Sequence, residues 1–356
     1  MRLVAFIFPL LFIIGCGSSG GTDGEPSRQQ FASLGRKIFF DTSLSSPKGV
    51  ACSTCHAPSA AFSDPLHTAT SKGAVSGRIG TRNSPSIMYS LFSPNFGFST
   101  DEGDYIGGQF WDGRAVDLEQ QAVQPLIGHL EMNLGDSDIL RQRIVETPYA
   151  DELANLYGAE SLEKSEQTLT AVVSALAAFE NSEELRPFSS KYDAWATGKT
   201  QLSPPEQRGL VIFSAPNKGN CAACHVSTGE DGQATSALFT DFTYDNIGLP
   251  KNHSIGNGED HGLHKTTGRP VDIGRFKVPT LRNIAVTAPY FHNGGMKTLQ
   301  EVVRFYNRRD IDPSIGRPEF PATMNSTELS NLGLSDNEEE DLVAFLRTLT
   351  DANSVE

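Results

Sequence analysis

Cysteine is scarce in this chain, with 5 in 356 residues, too few for a scaffold built on disulfides. Tryptophan is scarcer, with 2, so the context of each is informative. Basic side chains are outnumbered, 29 Lys and Arg against 43 Asp and Glu, for a formal net charge of −14, and they form no cluster. That excludes the cationic footprint of a nucleic-acid-binding protein. An acidic surface of this size keeps a protein soluble and can steer a basic partner. Long apolar runs are missing as well. The one at residues 3–14 is too short for a stable spanning helix. Low-complexity sequence is confined to a short N-terminal stretch, and no internal repeat stands out beyond two cysteine motifs.

Met1-Arg2 precedes the apolar run and Gly15-Cys16 follows it, the pattern of a signal peptide over residues 1–15. Ile13-Ile14-Gly15-Cys16 resembles a bacterial lipobox, so cleavage before Cys16 would leave a lipidated N-terminal cysteine. The alternative is an ordinary signal peptide that happens to contain a cysteine. Residues 16–27 are polar and Gly/Ser-rich, a flexible tether. The expected location is the periplasmic side of a bacterial membrane, lipid-anchored.

What is present is the motif Cys-x-x-Cys-His, twice: Cys52-Ser53-Thr54-Cys55-His56 and Cys221-Ala222-Ala223-Cys224-His225. Two thiols at this spacing add across the two vinyl groups of one porphyrin, and the adjacent histidine becomes the iron ligand. A single copy would also fit a zinc half-site or a thioredoxin-like pair. Two copies, each with its own histidine, in an exported chain point to two covalently bound c-type haems. The cysteines are then all used: Cys16 for lipid, the other four for haem, and none for a disulfide despite the oxidising compartment. About 330 residues follow the tether, enough for two domains with one haem motif each, residues 28–180 and 181–356.

Helix signals outnumber strand signals. Ser203-Pro204-Pro205-Glu206 opens a helix before the second haem motif, with Ser as N-cap, Pro at the first helical position and Glu two further on. Thr298-Leu299-Gln300-Glu301 repeats the capping box, with Val302, Val303 and Tyr306 on one face. Ser335-Asp336-Asn337-Glu338 opens a last helix with Leu342, Leu346 and Leu349 inward. Leu169, Val172, Val173, Leu176 and Phe179 predict a long amphipathic helix, ending at a domain junction near residues 181–187. The intervening stretches at 62–110 and 227–279 are rich in Gly, Pro and Asn. Loops that long are uncommon without a function. Here haem macrocycles would supply the apolar cores they wrap.

Further motifs fall in a specific order: Leu34-Gly35-Arg36-Lys37-Ile38-Phe39-Phe40-Asp41, Phe62-Ser63-Asp64, Arg82-Asn83-Ser84-Pro85 and Phe110-Trp111-Asp112-Gly113-Arg114. Around the second haem motif come Phe276-Lys277-Val278-Pro279-Thr280-Leu281-Arg282-Asn283 and Ala288-Pro289-Tyr290-Phe291-His292-Asn293-Gly294. With these, residues 34–349 resemble the bacterial dihaem cytochrome c peroxidase and MauG superfamily. The resemblance implies a mostly α protein of two cytochrome c-like domains facing each other across Trp111 and a calcium ion. It implies a peroxide-reactive N-terminal haem, on His56, and an electron-relay C-terminal haem, on His225.

The family's distal pocket has Gln, Pro and Glu ten, fourteen and twenty residues after its Trp, which here are Gln121, Pro125 and Glu131. Glu131 is the implied acid–base, moving a proton between the two oxygens of peroxide. Gln121 would orient peroxide and Pro125 would shape the pocket. Peroxidase members often carry a displaceable histidine before the Arg-Asn-x-Pro motif, but residues 71–78 contain none, and His67 lies too early. An open or water-bound N-terminal iron is therefore expected. Fourteen residues after His292, where the classical peroxidases place a Met ligand, this chain has Tyr306, as MauG-like members do; Met296 is out of register. The plain alternative is a core tyrosine. A phenolate ligand would stabilise oxidised iron, where a thioether raises the potential. Asn83, Thr287 and Pro289 match the family's calcium ligands. His292 reads as a hydrogen-bonding partner near the C-terminal haem. His129 is a candidate for the edge of the distal pocket, while His253, His261 and His264 take no role.

The expected function is a dihaem c-type peroxidase, reducing hydrogen peroxide with electrons from a small cytochrome or copper protein. The alternatives are MauG-like oxidation of residues in a partner protein, and a non-enzymatic dihaem electron carrier. Distal Glu131 and the missing sixth ligand count against the carrier.

Overall fold

The computed structural model describes residues 26–352 apart from 230, 231, 257 and 330. The expected signal peptide, Cys16 and most of the expected tether lie outside the described residues. Helix is the main regular structure, as the sequence predicts. The helices are α1 (Arg28–Phe39), α2 (Cys52–Cys55), α3 (Leu118–Ile127), α4 (Ser137–Val145), α5 (Ala150–Tyr157), α6 (Glu160–Glu163), α7 (Ser165–Glu180), α8 (Lys191–Ala196), α9 (Pro204–Ser214), α10 (His264–Thr267), α11 (Leu299–Arg308) and α12 (Asp336–Arg347). Among the described residues, strand is confined to two antiparallel ribbons. These pair β1 (Gly97–Ser99) with β2 (Asp104–Ile106), and β3 (Tyr244–Asp245) with β4 (Phe276–Lys277).

The helix starts follow their capping residues. The Thr298 hydroxyl accepts from the Glu301 N–H at 3.2 Å, and the Glu301 carboxylate accepts from the Thr298 N–H at 3.0 Å. Ser335 and Glu338 repeat the exchange at the start of α12. At α9 the Glu206 carboxylate accepts from the Ser203 N–H at 2.6 Å. Each pair satisfies donors that the first helical turn would leave without partners. α7 runs as its apolar spacing predicts and stops at Asn181, at the expected junction.

Two apolar cores form. One joins α1, α3, α4, α5 and α7 and runs from Leu34 to Leu185; the other joins α8, α9, α11 and α12 and runs from Tyr192 to Leu349. Each centres on a helix pair in backbone contact. A Cβ on Gly35 of α1 would lie 1.8 Å from the Ala175 carbonyl oxygen and 2.9 Å from Phe179 Cβ. A Cβ on Gly209 of α9 would lie 2.0 Å from the Asp341 carbonyl oxygen and 2.7 Å from Phe345 Cβ. Only glycine permits either approach.

These pairs reveal a duplication, a correction to the expectation of no internal repeat beyond the haem motifs. Gly35-Arg36-Lys37-Ile38-Phe39 corresponds to Gly209-Leu210-Val211-Ile212-Phe213, and Leu176, Phe179 and Glu180 correspond to Leu342, Phe345 and Leu346. The loops match too. Ser86 Oγ donates to the Ala61 carbonyl at 2.5 Å, and Thr280 Oγ1 donates to the Leu238 carbonyl at 2.6 Å. The next residues, Phe62 and Phe239, both have φ of 55°. The matching residues are few and separated by unequal insertions, so sequence spacing hides them.

The halves are tied by buried polar groups. Asp351 accepts from Tyr89 Oη at 2.9 Å, Asn283 Nδ2 at 2.8 Å and the Ser189 N–H at 2.8 Å. Arg282, fully buried and held within the second half by a bidentate pair with Asp193 at 2.9 and 3.0 Å, lies over the Tyr89 ring of the first half at 5.0 Å. The long loops at 62–110 and 227–279 carry short turns and the two ribbons, and they wall two cavities.

Candidate active site

Each cysteine motif opens into its own cavity, of about 1350 Å³ for the N-terminal one and about 1830 Å³ for the C-terminal one, measured to the open mouth. Cys52, Cys55 and His56 line the first; Cys221, Cys224 and His225 line the second. α2 is a single turn, and the His56 N–H closes it onto the Cys52 carbonyl at 3.0 Å. His56 Nδ1 lies 3.1 Å from the Phe62 carbonyl, and His225 Nδ1 lies 2.8 Å from the Phe239 carbonyl. A carbonyl only accepts, so Nδ1 carries the proton and Nε2 keeps its lone pair for a metal. Burial lowers the His56 pKa and brings that of His225 down to about 4, which keeps both imidazoles neutral.

The donor set fits haem. Burial pushes the thiols up, to about 12 for Cys52, Cys221 and Cys224 and about 11 for Cys55. Such sulfurs suit thioethers in an apolar wall better than the thiolates zinc requires. Among the described residues no cluster of three or more His, Cys, Asp or Glu converges for the zinc alternative.

The N-terminal cavity gathers the expected distal residues. Gln121 and Pro125, one turn apart on α3, both line it, with Glu131 from the loop after the helix. Glu131 lines the cavity and keeps an exposed surface, although protein packs around its carboxyl. That burial raises its carboxyl above the usual range, and the Arg114 guanidinium pulls the other way. Arg114 is held by Asp112 at 2.7 Å, by Gln124 at 3.0 Å and by the Phe110 ring at 3.6 Å. Residues 71–78 pack against the Glu131 loop: the Ala74 N–H donates to the Glu131 carbonyl at 2.7 Å, and Arg78 donates to the His129 carbonyl. His56 is the sole histidine on this wall among the described residues. His67 points elsewhere, with Nδ1 2.8 Å from the Ala288 carbonyl. His129 does not line the cavity, which removes it from the pocket edge. Glu180, the last residue of α7 and without a role read from sequence, also lines this cavity.

Trp111, Asn83, Pro85 and Ser86 line both cavities and so form a shared wall. Trp111 Nε1 donates to the Asn83 carbonyl at 2.9 Å, and the Asn83 N–H donates to the His292 carbonyl at 2.8 Å. The buried His292 ring stacks on Phe276 at 3.5 Å and lines the second cavity, with no hydrogen bond to it from the described residues. Burial takes its pKa down to about 3. Arg82 binds Asp260 through two hydrogen bonds at 2.6 and 2.7 Å; its Nη1 lies 2.7 Å from Asp112 without a directed bond. Lys277, unassigned from sequence, lines the second cavity, and burial lowers its pKa to about 8.

In the C-terminal cavity Tyr306 lies on the wall with His225, and Met296 does not. Val302 and Val303 share that wall, as the helix face predicts. Burial pushes the Tyr306 phenol far above its ordinary pKa. Its hydroxyl makes no hydrogen bond to a described residue, whereas the nearby Tyr290 hydroxyl donates to the Ile284 carbonyl at 2.9 Å. A buried core tyrosine ordinarily finds such a partner. Asn83, Thr287 and Pro289 line this cavity together. His261 and His264 stack near Phe320, apart from either cavity wall, and His253 lines neither.

The profile of the di-haem cytochrome c peroxidase family matches residues 29–201. The methylamine utilization protein MauG of Paracoccus denitrificans is 37% identical over 99% of this chain and 96% of its own length. The cytochrome c551 peroxidase of Nitrosomonas europaea is 31% identical over 91% of this chain and 81% of its own. Among solved structures, the diheme peroxidase BthA of Burkholderia thailandensis superposes with a TM-score of 0.84 at 33% identity, covering 93% of this chain and 90% of that one.

Proposed function

The chain belongs to the dihaem cytochrome c peroxidase and MauG family, and from that premise we propose a division of labour between its two cavities. The protein is a peroxide-using dihaem oxidoreductase, which sets aside the carrier alternative. In our reading hydrogen peroxide is reduced in the N-terminal cavity, with electrons arriving by way of the C-terminal one. The observation that carries it is the meeting of Gln121, Pro125 and Glu131 in the cavity of His56, with no second histidine on the wall.

When bound, the two haems supply the redox couples and the N-terminal iron supplies the peroxide site. His56 and His225 would hold the irons through Nε2, with Tyr306 as the second ligand on the C-terminal side. The Gln121 amide binds and orients peroxide. The Glu131 carboxylate takes the proton from one peroxide oxygen and returns it to the other, which then leaves as water. Pro125 and the apolar wall exclude bulk water. Trp111, common to both walls, is the conduit between them. The Asn83 side chain and the carbonyls of Thr287 and Pro289 would hold a calcium ion, as hard oxygen donors on one wall. The two haem domains are assigned to residues 28–180 and 181–356, and the anchor to a lipid on Cys16 at the periplasmic side of the membrane. Among the described residues no helix is long and apolar enough to cross a membrane.

A second reading is favoured by Tyr306 and its unpartnered hydroxyl. Here the oxidising equivalents pass through Trp111, which lines both cavities, and out to residues of a partner protein. One experiment tests both. Intact mass should show two haem additions, and purified protein mixed with peroxide should change its haem spectrum. Catalytic oxidation of a reduced small cytochrome then supports the peroxidase reading. A long-lived oxidised form that ignores such donors supports the second. One haem, or zinc, would end both.

A further inference from the structure

The duplication reaches the wall that the two cavities share. Ser86 matches Thr280, so Pro85 matches Pro279 and Asn83 matches Lys277. The backbones of Pro85 and Pro279 act alike on His56 and His225. Phe110 and Phe291 have φ of 63° and 68°, and each stands in a loop closed by a bridge, Gln109 to Ala115 in one and Tyr290 to Met296 in the other. Trp111 therefore matches His292. The halves hold each other reciprocally here: the Asn83 N–H donates to the His292 carbonyl at 2.8 Å, and the Lys277 N–H donates to the Trp111 carbonyl at 2.9 Å. Asparagine serves at one place and lysine at the other, so an ammonium there is not a packing requirement.

Lys277 lines the C-terminal cavity, and protein packs around its ammonium. Two neutral oxygens receive it, the Gly108 carbonyl at 2.5 Å and the Ser93 hydroxyl at 3.4 Å. An ammonium has three N–H donors, so one is left over. No carboxylate among the described residues pairs with it. Asp112, the charged group that acts on it, pairs with Arg82 and Arg114 instead. A charge kept from water without an anion costs free energy, and burial accordingly lowers the Lys277 pKa to about 8. The other basic side chain on this wall, Arg282, is taken by Asp193, and burial keeps His225 and His292 neutral. The acids of the wall are engaged at other points. Asp245 and Glu328 act on Cys224, and Glu319 accepts from the Asp260 N–H at 3.4 Å. The cavity is thus acidic at its cysteines, with one unmatched cation on the side that meets Gly108 and Trp111 of the first half.

A haem joined to Cys221 and Cys224 through its vinyl edge carries its two propionates on the opposite edge. The propionates are anions, so they turn away from Asp245 and Glu328 and toward a cation. We propose that Lys277 is the anchor of the C-terminal haem, its remaining N–H donating to a propionate at the end of the cavity next to Trp111. One residue then grips the cofactor with its side chain and the Trp111 carbonyl with its backbone, which fixes the haem edge against the conduit. This inference rests on the haem assignment at His225 and not on the direction of electron flow.

The test uses the dihaem holoprotein as wild type, Lys277→Asn, Lys277→Met and Lys277→Arg. Lys277→Asn copies the matching residue and guards against a folding failure, and intact mass checks that each variant carries two haems. Each haem is then titrated electrochemically while redox-difference infrared spectra are recorded. Without its cation the propionate is an uncompensated anion, which favours ferric iron. The C-terminal haem of Lys277→Asn and Lys277→Met should therefore be reduced at a lower potential, and the propionate carboxylate band that accompanies its titration should shift. The N-terminal haem should keep its potential. Lys277→Arg, which keeps the charge and a donor, should restore both signals. An unmoved C-terminal potential, an equal fall at both haems, or a lowered potential with the carboxylate band in place would overturn the proposal, the last by reducing Lys277 to a remote charge. Wild type with a single haem addition would instead overturn the haem assignment, and the anchor with it.

Discussion

Tyr306 is the side chain we propose sets the character of the C-terminal redox site. Its phenol lies on the wall of the His225 cavity with no hydrogen-bond partner among the described residues, and burial disfavours its ionisation until a cation compensates. Ferric iron is such a cation. Tyr306→Met should raise the reduction potential of the C-terminal haem, because a thioether favours ferrous iron more than a phenolate does. Electron paramagnetic resonance of the ferric wild type should give one low-spin and one high-spin signal. Two low-spin signals, or an unmoved potential in the variant, would reduce Tyr306 to a packing residue. Glu131 makes the second residue-scale prediction. Glu131→Gln should keep both haem spectra and slow the peroxide reaction by about 10²–10⁴-fold. Its carboxyl must be ionised to accept a proton, and its pKa is raised, so the wild-type rate should decline as pH falls through that raised value. Stopped-flow rates against pH should show this acid limb in wild type and not in the variant.

At the scale of elements, the two glycine-mediated helix crossings hold the cavities open. α1 against α7 carries Leu176 and Glu180 to the first cavity, and α9 against α12 carries Leu342 and Leu346 to the second. Gly35→Ala and Gly209→Ala each force a methyl to within about 2 Å of a carbonyl oxygen, so the helices must part. Overpacking of this kind costs about 1–3 kcal/mol, and more where backbone is the obstacle. Both variants should lower the denaturation midpoint by similar amounts, in keeping with the duplication. A tolerated alanine at either glycine would mean the crossing is looser than described. The capping boxes at Thr298 and Ser335 matter less individually, since each contributes about 0.5–2 kcal/mol.

Across the whole molecule, the polar clamp at Asp351 fixes one core against the other. It binds Tyr89 from the first half and Asn283 and Ser189 from the second. Asp351→Ala would strand these buried donors at about 1–3 kcal/mol for each one that finds no water. The expected result is a lower unfolding midpoint and a loosened wall between the cavities. The second effect should appear as slower electron transfer between haems, measured by flash photoreduction, with each haem's own spectrum retained. Loss of stability without that slowing would confine the clamp to a folding role. A separate tie crosses the same boundary at Trp111, whose indole donates to the Asn83 carbonyl while the Asn83 N–H donates to the His292 carbonyl.

The sequence by itself determined the haem chemistry, because Cys-x-x-Cys-His is a local motif whose spacing is its mechanism. It also determined the helix starts at Ser203, Thr298 and Ser335, since capping is decided within four residues. The inward face of Tyr306 was legible for the same reason, from helical periodicity. Gln121, Pro125 and Glu131 were legible only through the family resemblance, and their meeting in one cavity depended on a helix and the loop after it folding back together. Glu180 was not legible at all, because an acid at the end of an apolar helix looks like a frayed surface residue until the chain closes around it. Nor was the duplication, whose signature is two glycines and a few aromatics spread over more than a hundred residues. His129 stood near the right place in sequence and does not line the cavity, and His67, too early in sequence, turns its ring to the Ala288 carbonyl. What only the tertiary structure decided is which side chains share a cavity, because desolvation and helix crossing are set by residues far apart in the chain.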